Sequence, residues 1–283
     1  MLLATQKRIV QAVVPQLTAL GQALPRPAAV LVVSPHWITS QVRVGTSAAP
    51  ETIHDFGGFP DALFQVQYPA PGSPELAHTT QEIITATEVF ADEKWGLDHG
   101  TWSVLKHVYP NADIPVVQLS LDYTKGPEYH YALAKELSAL RNKGVLIIGS
   151  GNMVHNLGRI DWDGGKPPAW ASNFEGWVRE KLAANDVDAL LAYREKAPLP
   201  DEAHQNNLRV LYSANRPSVR RVPSSFSVGA AAASAVAGSN RSSSKVAHSG
   251  CSSFGGNHCS RVSSPLLTSS ARSCCIFMIS WAS

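Results

Sequence analysis

The sequence predicts a single three-layer α/β domain, with a largely parallel central sheet flanked by helices, over residues 1–204. Three observations predict it. Short continuous apolar runs recur at 28–33, 115–121 and 145–148, the pattern of strands covered on both faces. Stretches of helical spacing alternate with them. The first and third runs pass straight into turns that carry a histidine, where open sheets of this kind place their ligands.

The elements follow in order. Ile9, Val13, Leu17 and Leu20 share one face of a helix over 5–20, with Thr5 able to cap it and Gly21 able to stop it. The strand at 28–33 ends at Ser34-Pro35-His36-Trp37. Ser73-Pro74-Glu75 reads as N-cap, first-turn proline and acidic first turn, opening a helix to about Thr87. Thr101 opens a shorter helix with Val104, Leu105 and Val108 inward. The strand at 115–121 precedes a helix over 126–140 that Asn142-Lys143-Gly144 closes, and the strand at 145–148 runs into Gly149-Ser150-Gly151-Asn152. Helices are expected over 170–184 and 187–194, and no internal repeat is present.

Composition narrows the function classes. The chain has 283 residues, 44% of them hydrophobic and 16% charged, enough for a real core. Its longest apolar runs fall far short of the roughly 20 residues of a membrane span. No secretory pattern opens it, because Lys7 and Arg8 interrupt the start. A cytoplasmic location with no membrane partner is the expectation. The net charge of +2 hides two regimes. Residues 1–202 hold 16 Lys/Arg against all 22 Asp/Glu, a balance of −6, and residues 203–283 hold eight Lys/Arg and no acid, a balance of +8.

The chemistry-bearing residues cluster at strand ends and in loops. His36 and His155 follow the first and third strands, and His99 lies in Trp95-Gly-Leu-Asp98-His99-Gly-Thr-Trp102. Neutral imidazoles meeting in one crevice could hold a divalent metal, or one could move protons while another ligates. Taken singly, each reads more readily as a capping or packing residue, and two of them at strand ends bring the two readings level. The segment Thr52-Ile-His54-Asp55-Phe56-Gly57-Gly58-Phe59-Pro60 has two readings, an active-site loop contacting an aromatic substrate or a surface loop with a satisfied His54–Asp55 hydrogen bond. His78, His107 and His130 fall on helices without partners at ligand spacing. Phosphate-loop and dinucleotide glycine patterns are absent, as are Gly-x-Ser-x-Gly and any cysteine before Cys251. Nucleotide binding and nucleophilic hydrolysis therefore have no candidate centre.

Six strings occur in order: Val-Val-Ser-Pro-His36-Trp, Thr-Ile-His54-Asp-Phe-Gly-Gly-Phe-Pro, Tyr68-Pro-Ala-Pro-Gly-Ser-Pro, Trp95-Gly-Leu-Asp-His99-Gly-Thr-Trp, Pro115-Val-Val-Gln-Leu-Ser and Gly149-Ser-Gly-Asn-Met-Val-His155-Asn. Together they resemble the DODA-type extradiol aromatic ring-opening dioxygenases (4,5-DOPA dioxygenase-like), within the class III extradiol dioxygenase catalytic subunit superfamily. The resemblance covers about 15–204. It implies a dioxygenase that uses one divalent metal ion, Fe(II) or Zn(II), and O2 to open a catechol-type ring beside its two hydroxyls. Ferrous iron is the redox-competent choice. By the same resemblance His36 matches a metal ligand, and His155 matches an active-site histidine described as acid/base or as a further ligand. His99 matches a substrate-side catalytic histidine, and His54 and Asp98 fall on the substrate-binding side.

The sequence departs from that pattern at both ends. The family's opening strand ends in a Gly-His-Gly motif whose histidine ligates metal; Met1 coincides with or follows the end of that motif, so the strand and its ligand are expected to be missing. The family also has a ligating histidine in a late Glu-His pair. Here the chain reads Pro200-Asp-Glu-Ala-His204-Gln, and His204 matches an earlier, non-ligating histidine. Weak or absent turnover is the resulting expectation, and a catalytically inactive remnant is the alternative reading. Residues 205–283, rich in Ser, Arg and Cys, read either as an out-of-frame tail or as a disordered basic extension. Cys251, Cys259, Cys274 and Cys275 match no standard zinc spacing, and the scattered basic residues give no case for nucleic acid.

Overall fold

Side chains of a strand point alternately to opposite faces, so a fully apolar strand must be covered on both. The computed structural model describes residues 2–159 and 166–204. Its five strands are β1 (Ala29–Thr39), β2 (Arg43–Gly45), β3 (Phe90–Asp92), β4 (Val116–Asp122) and β5 (Val145–Gly149), in the sheet order β3-β2-β4-β1-β5. β1 pairs in parallel with β4 and β5, and β2 with β3. An antiparallel pairing joins β2 to β4 at Val44 and Leu119. The sheet is mixed but mostly parallel, as expected.

The helices are α1 (Leu2–Ala23), α2 (Asp61–Phe64), α3 (Pro74–Ile83), α4 (His99–Val108), α5 (Pro127–Leu137), α6 (Ala169–Ala184), α7 (Val187–Leu191), α8 (Tyr193–Lys196) and α9 (Pro200–Ala203). On one face of the sheet, Leu31, Val33, Val117, Leu119 and Ile147 pack with Leu76 and Ala77 of α3 and with Leu133 and Leu137 of α5. On the other, Val30, Val32, Val116, Leu146 and Ile148 pack with Leu17 of α1 and with Trp102, Leu105 and Val108 of α4. That is the three-layer arrangement, and each large side chain so buried contributes about 1.5–3 kcal/mol. A third cluster, Met153, Phe174, Val178, Leu190 and Tyr193, ties the turn after β5 to α6, α7 and α8.

Several boundaries differ from expectation for identifiable reasons. The first strand does not stop at Ser34 but arches and continues to Thr39. β2 and β3 are only three residues each and carry no apolar run, so periodicity could not find them. α1 starts before Thr5 and runs through both Pro15 and Gly21. Gly21 is a point of close approach, because a Cβ there would collide with the carbonyl of Val108 on α4. Ser73 caps α3 as expected, accepting the Leu76 N–H at 3.1 Å, but the helix ends at Ile83, where Ile84 turns extended. The 126–140 helix tightens into a 3-10 turn over Ser138–Lys143, and the 187–194 segment breaks into α7 and α8. Gly144 closes the former in the left-handed conformation, φ 76°.

No described helix is long and apolar enough to cross a membrane. The four cysteines and the whole 205–283 segment lie outside the described residues.

Candidate metal and active site

The arch in β1 positions His36. Val33 pairs with Leu119, yet Ile38 pairs with Leu121, so the residues between are too many for the ladder and bulge out of it. His36 rides on that bulge, and Trp37 behind it stacks on Trp95 with ring centroids 5.6 Å apart and planes 3° from parallel. His99 is the first residue of α4. Its helix is started by Asp98, whose carboxylate accepts the Thr101 N–H at 3.1 Å.

A third segment runs alongside. The Ile53 N–H donates to the Leu97 carbonyl at 2.9 Å and the Leu97 N–H to the Glu51 carbonyl at 2.7 Å, so residues 51–55 track 95–99. This brings Asp55 to His99, whose backbone N–H donates to Asp55 Oδ1 at 2.8 Å. The His54–Asp55 hydrogen bond of the surface-loop reading is therefore not made. His54 bonds the Val66 carbonyl through Nε2 at 3.0 Å, and Asp55 faces away toward His36 and His99.

His36, Asp55 and His99 each offer one ligand atom, all within 4.8 Å of one another. Asp55 Oδ2 lies 2.9 Å from His99 Nδ1 and 3.8 Å from His36 Nδ1, and the two imidazole centroids are 3.8 Å apart. Two ligands about 2.1 Å from a common ion and 90–109° apart would be separated by about 3.0–3.4 Å, which those distances bracket. Asp55 Oδ2 and His99 Nδ1 are both buried and face each other at 2.9 Å, a carboxylate–imidazole contact. Burying a carboxylate between two imidazoles is costly, and a bound cation would offset that cost. The donor set, two imidazoles and one carboxylate, suits a first-row divalent ion.

Electrostatics agree with a ligand role. Burial, then the neighbouring His99, push the His36 pKa down to about 3 against the pull of Asp55, so the ring is neutral at pH 7, the form that binds metal. Burial pushes the Asp55 carboxyl up, but the His99 ring and backbone N–H more than offset it and hold it below its ordinary value.

His155 is not within this triad of atoms. Proximity to it disfavours protonation of His36 and His204, and burial lowers its own pKa, so the His155 ring is neutral at pH 7. The segment around α9 holds it: the His155 N–H donates to the Ala203 carbonyl at 2.9 Å, His204 Nε2 meets the Met153 carbonyl at 2.8 Å, and Asn156 Nδ2 donates to the Glu202 carbonyl at 2.7 Å. His54 sits in an aromatic wall with Phe56, Phe64 and Trp102, ring centroids 5.7 to 6.0 Å away, and Phe56 meets the edge of His99 at 5.4 Å. Asp98, expected on the substrate side, instead faces the interior: it has 0% exposure and its oxygens are taken by Thr101, Gln118 and Ser34, so it offers a substrate no surface. Asp55 is the residue missed as a ligand candidate; its adjacency to His54 suggested a local pair and hid the longer-range one. A cavity of about 300 Å³ lined by Ser47, Pro50, Glu51, Glu93, Trp95 and Gly96 opens beside the 95–99 loop, and none of the site histidines lines it.

Known proteins share this chain's sequence and fold. The family model described as the catalytic LigB subunit of aromatic ring-opening dioxygenase matches residues 5–214. The 4,5-DOPA dioxygenase extradiol of Escherichia coli (strain K12) is 48% identical over 165 residues, covering 58% of this chain and 61% of that protein. The protein of the same name from Beta vulgaris is 42% identical over 183 residues, covering 63% and 68%. A crystal structure of an uncharacterized protein from E. coli K12 superposes with a TM-score of 0.57 at 36% identity, over 67% of this chain and 77% of that one. The matching stretch thus spans about three fifths of the E. coli relative's length. With the family model covering most of the sequence and the fold agreeing, the chain belongs to the catalytic LigB subunit family of aromatic ring-opening dioxygenases.

Proposed function

We propose that the protein is a metal-dependent extradiol dioxygenase that opens the ring of a catechol-type substrate with O2. One observation carries the reading: His36, Asp55 and His99, from three separate segments, bring one ligand atom each within 4.8 Å of one another. His36 and Asp55 would hold the ion, with His99 as third donor or, when substrate is present, as hydrogen-bond partner of a ring hydroxyl. His155 is a further ligand candidate from its place in the family pattern. Ferrous iron, rather than zinc, supplies the redox chemistry when bound.

The chain's own residues account for binding and proton handling. A catechol must shed protons to bind as a chelating anion, and the neutral His155 imidazole would take one. The wall of His54, Phe56, Phe64 and Trp102 would receive the aromatic ring edge-on or offset. The names of the relatives make DOPA the first catechol to test.

Anaerobic titration with Fe(II), followed by DOPA and O2, is expected to give one bound ion per chain and a yellow ring-opened product formed slowly, in keeping with the donors the sequence lacks at its two ends. Zn(II) is expected to bind without O2 uptake. His36→Ala and Asp55→Ala should each weaken Fe(II) binding at least a hundredfold while the protein stays folded by circular dichroism. Unchanged affinity in both variants would overturn the assignment.

A further inference from the structure

Behind His36 and His99 lies a set of buried polar side chains outside the cluster of His36, Asp55 and His99. Asp98 and Ser34 have 0% exposure and Gln118 has 2%. Gln118 projects from the middle of β4, opposite Val32 of β1. It exchanges two hydrogen bonds with Asp98: the Asp98 N–H donates to Gln118 Oε1 at 2.9 Å, and Gln118 Nε2 donates to Asp98 Oδ2 at 2.8 Å. The Ser34 hydroxyl bonds the same carboxylate and accepts the backbone N–H of His36 at 3.3 Å. Three segments, β4, the arch of β1 and the start of α4, are thus joined through one carboxylate.

Such a network is costly to bury, and a plain apolar core would hold the layers together as well. What it adds is direction. The reciprocal amide–carboxylate pair fixes the residue before His99, and Ser34 fixes the backbone of His36. Gly100 permits the closeness: a Cβ there would stand 2.5 Å from Ser34 Oγ and 2.8 Å from His36 Cδ2. We infer that Gln118 and Asp98 are positioning residues, which act through Ser34 and the α4 N-terminus to hold the His36 and His99 rings at their 3.8 Å approach. The inference rests on the reading of His36 as a metal ligand and of His99 as third donor or substrate partner.

A reciprocal exchange tests it. In Asp98→Asn the new amide N–H₂ points at the Gln118 amide N–H₂, two donors facing each other. In the double variant Asp98→Asn/Gln118→Glu the roles swap. The introduced asparagine still accepts from Thr101 and now donates to the introduced carboxylate on β4, which in turn accepts the backbone N–H that Gln118 Oε1 accepted before. One buried carboxyl and the same hydrogen bonds remain. The first readout needs no metal: the nuclear Overhauser contact between the His36 and His99 ring protons in the metal-free protein. It is expected to be strong in wild type, lost in D98N, restored in D98N/Q118E, and unaffected in Val117→Ala, a buried neighbour on β4 that should lower Tm without touching the network. The second is cobalt(II) affinity by visible absorption, expected to fall about tenfold or more in D98N and to recover in the double variant. Retention in D98N of either the ring contact or wild-type cobalt affinity overturns the inference, as does failure of the double variant to restore the contact. If D98N does not fold, Ser34→Ala decides: a weakened ring contact supports the network and a full-strength one overturns it. Wild-type protein that takes up no cobalt defeats the metal-site reading alone, and the ring contact then decides the positioning role.

Discussion

His36 and His99 are held from below by side chains sealed off from water, whereas His155 is held from the side by a four-residue helix near the end of the described chain. On the first flank the anchors come from the central strands β1 and β4 and from a ten-residue helix. On the second they are three carbonyl contacts between the 153–156 turn and α9, with the ion pair of Arg159 and Glu202 beside them. Stability is not uniform across a fold, and segments with few buried contacts open first. The comparison teaches that histidines of one candidate site can be held with very different rigidity, His36 and His99 from the core and His155 from its margin.

The harshest way to break the rigid flank is Gly100→Ala. The added methyl has no room between Ser34 and His36, and overpacking of this kind costs about 1–3 kcal/mol. Thermal unfolding should show that loss, and Fe(II) titration should show metal affinity falling by more than the stability change explains, because the methyl pushes on the His36 ring.

Acid should loosen the softer flank. Burial pushes the His204 pKa down to about 4 against an ordinary 6.5, so the folded protein binds fewer protons there than the unfolded chain. The neutral ring therefore contributes stability that is whole above about pH 6.5 and is lost as the pH falls toward 4, at most about 3 kcal/mol. Urea unfolding at pH 7 and at pH 4.5 should show a smaller pH-dependent loss in His204→Gln than in wild type, with the 153–156 amides of wild type losing protection, relative to their intrinsic exchange rates, at the lower pH.

The smallest effect is expected at Leu199. It is 57% exposed and sits at φ 48°, a left-handed conformation that costs a branched side chain about 1 kcal/mol, at the residue that starts α9. Leu199→Gly should change stability by less than about 1 kcal/mol, in the stabilising direction, while leaving metal affinity unaltered. A large loss of metal binding would mean that the α9 side governs the donors as well.

Much of this was legible in the residues. The three central strands announce themselves because both of their faces are apolar, and the α3 start follows from Ser73-Pro74. β2 and β3 were invisible because three residues with one or two inward side chains leave no periodic trace. The histidines were found from their place after strands, yet which of them meet depends on the parallel tracking of 51–55 with 95–99, a pairing between loops that no local pattern encodes. Asp55 was hidden by its neighbour His54, and Asp98 was misplaced because a buried helix cap and a substrate contact look alike in a one-dimensional string.

The stacked indoles of Trp37 and Trp95 have a practical consequence. One is the immediate neighbour of His36, and the other opens the loop that ends in His99. Rings this close and this nearly parallel couple their ultraviolet transitions, and the coupling changes steeply with spacing and tilt. The protein therefore carries a built-in optical gauge across its two donor-bearing segments, readable in near-ultraviolet circular dichroism without any attached label.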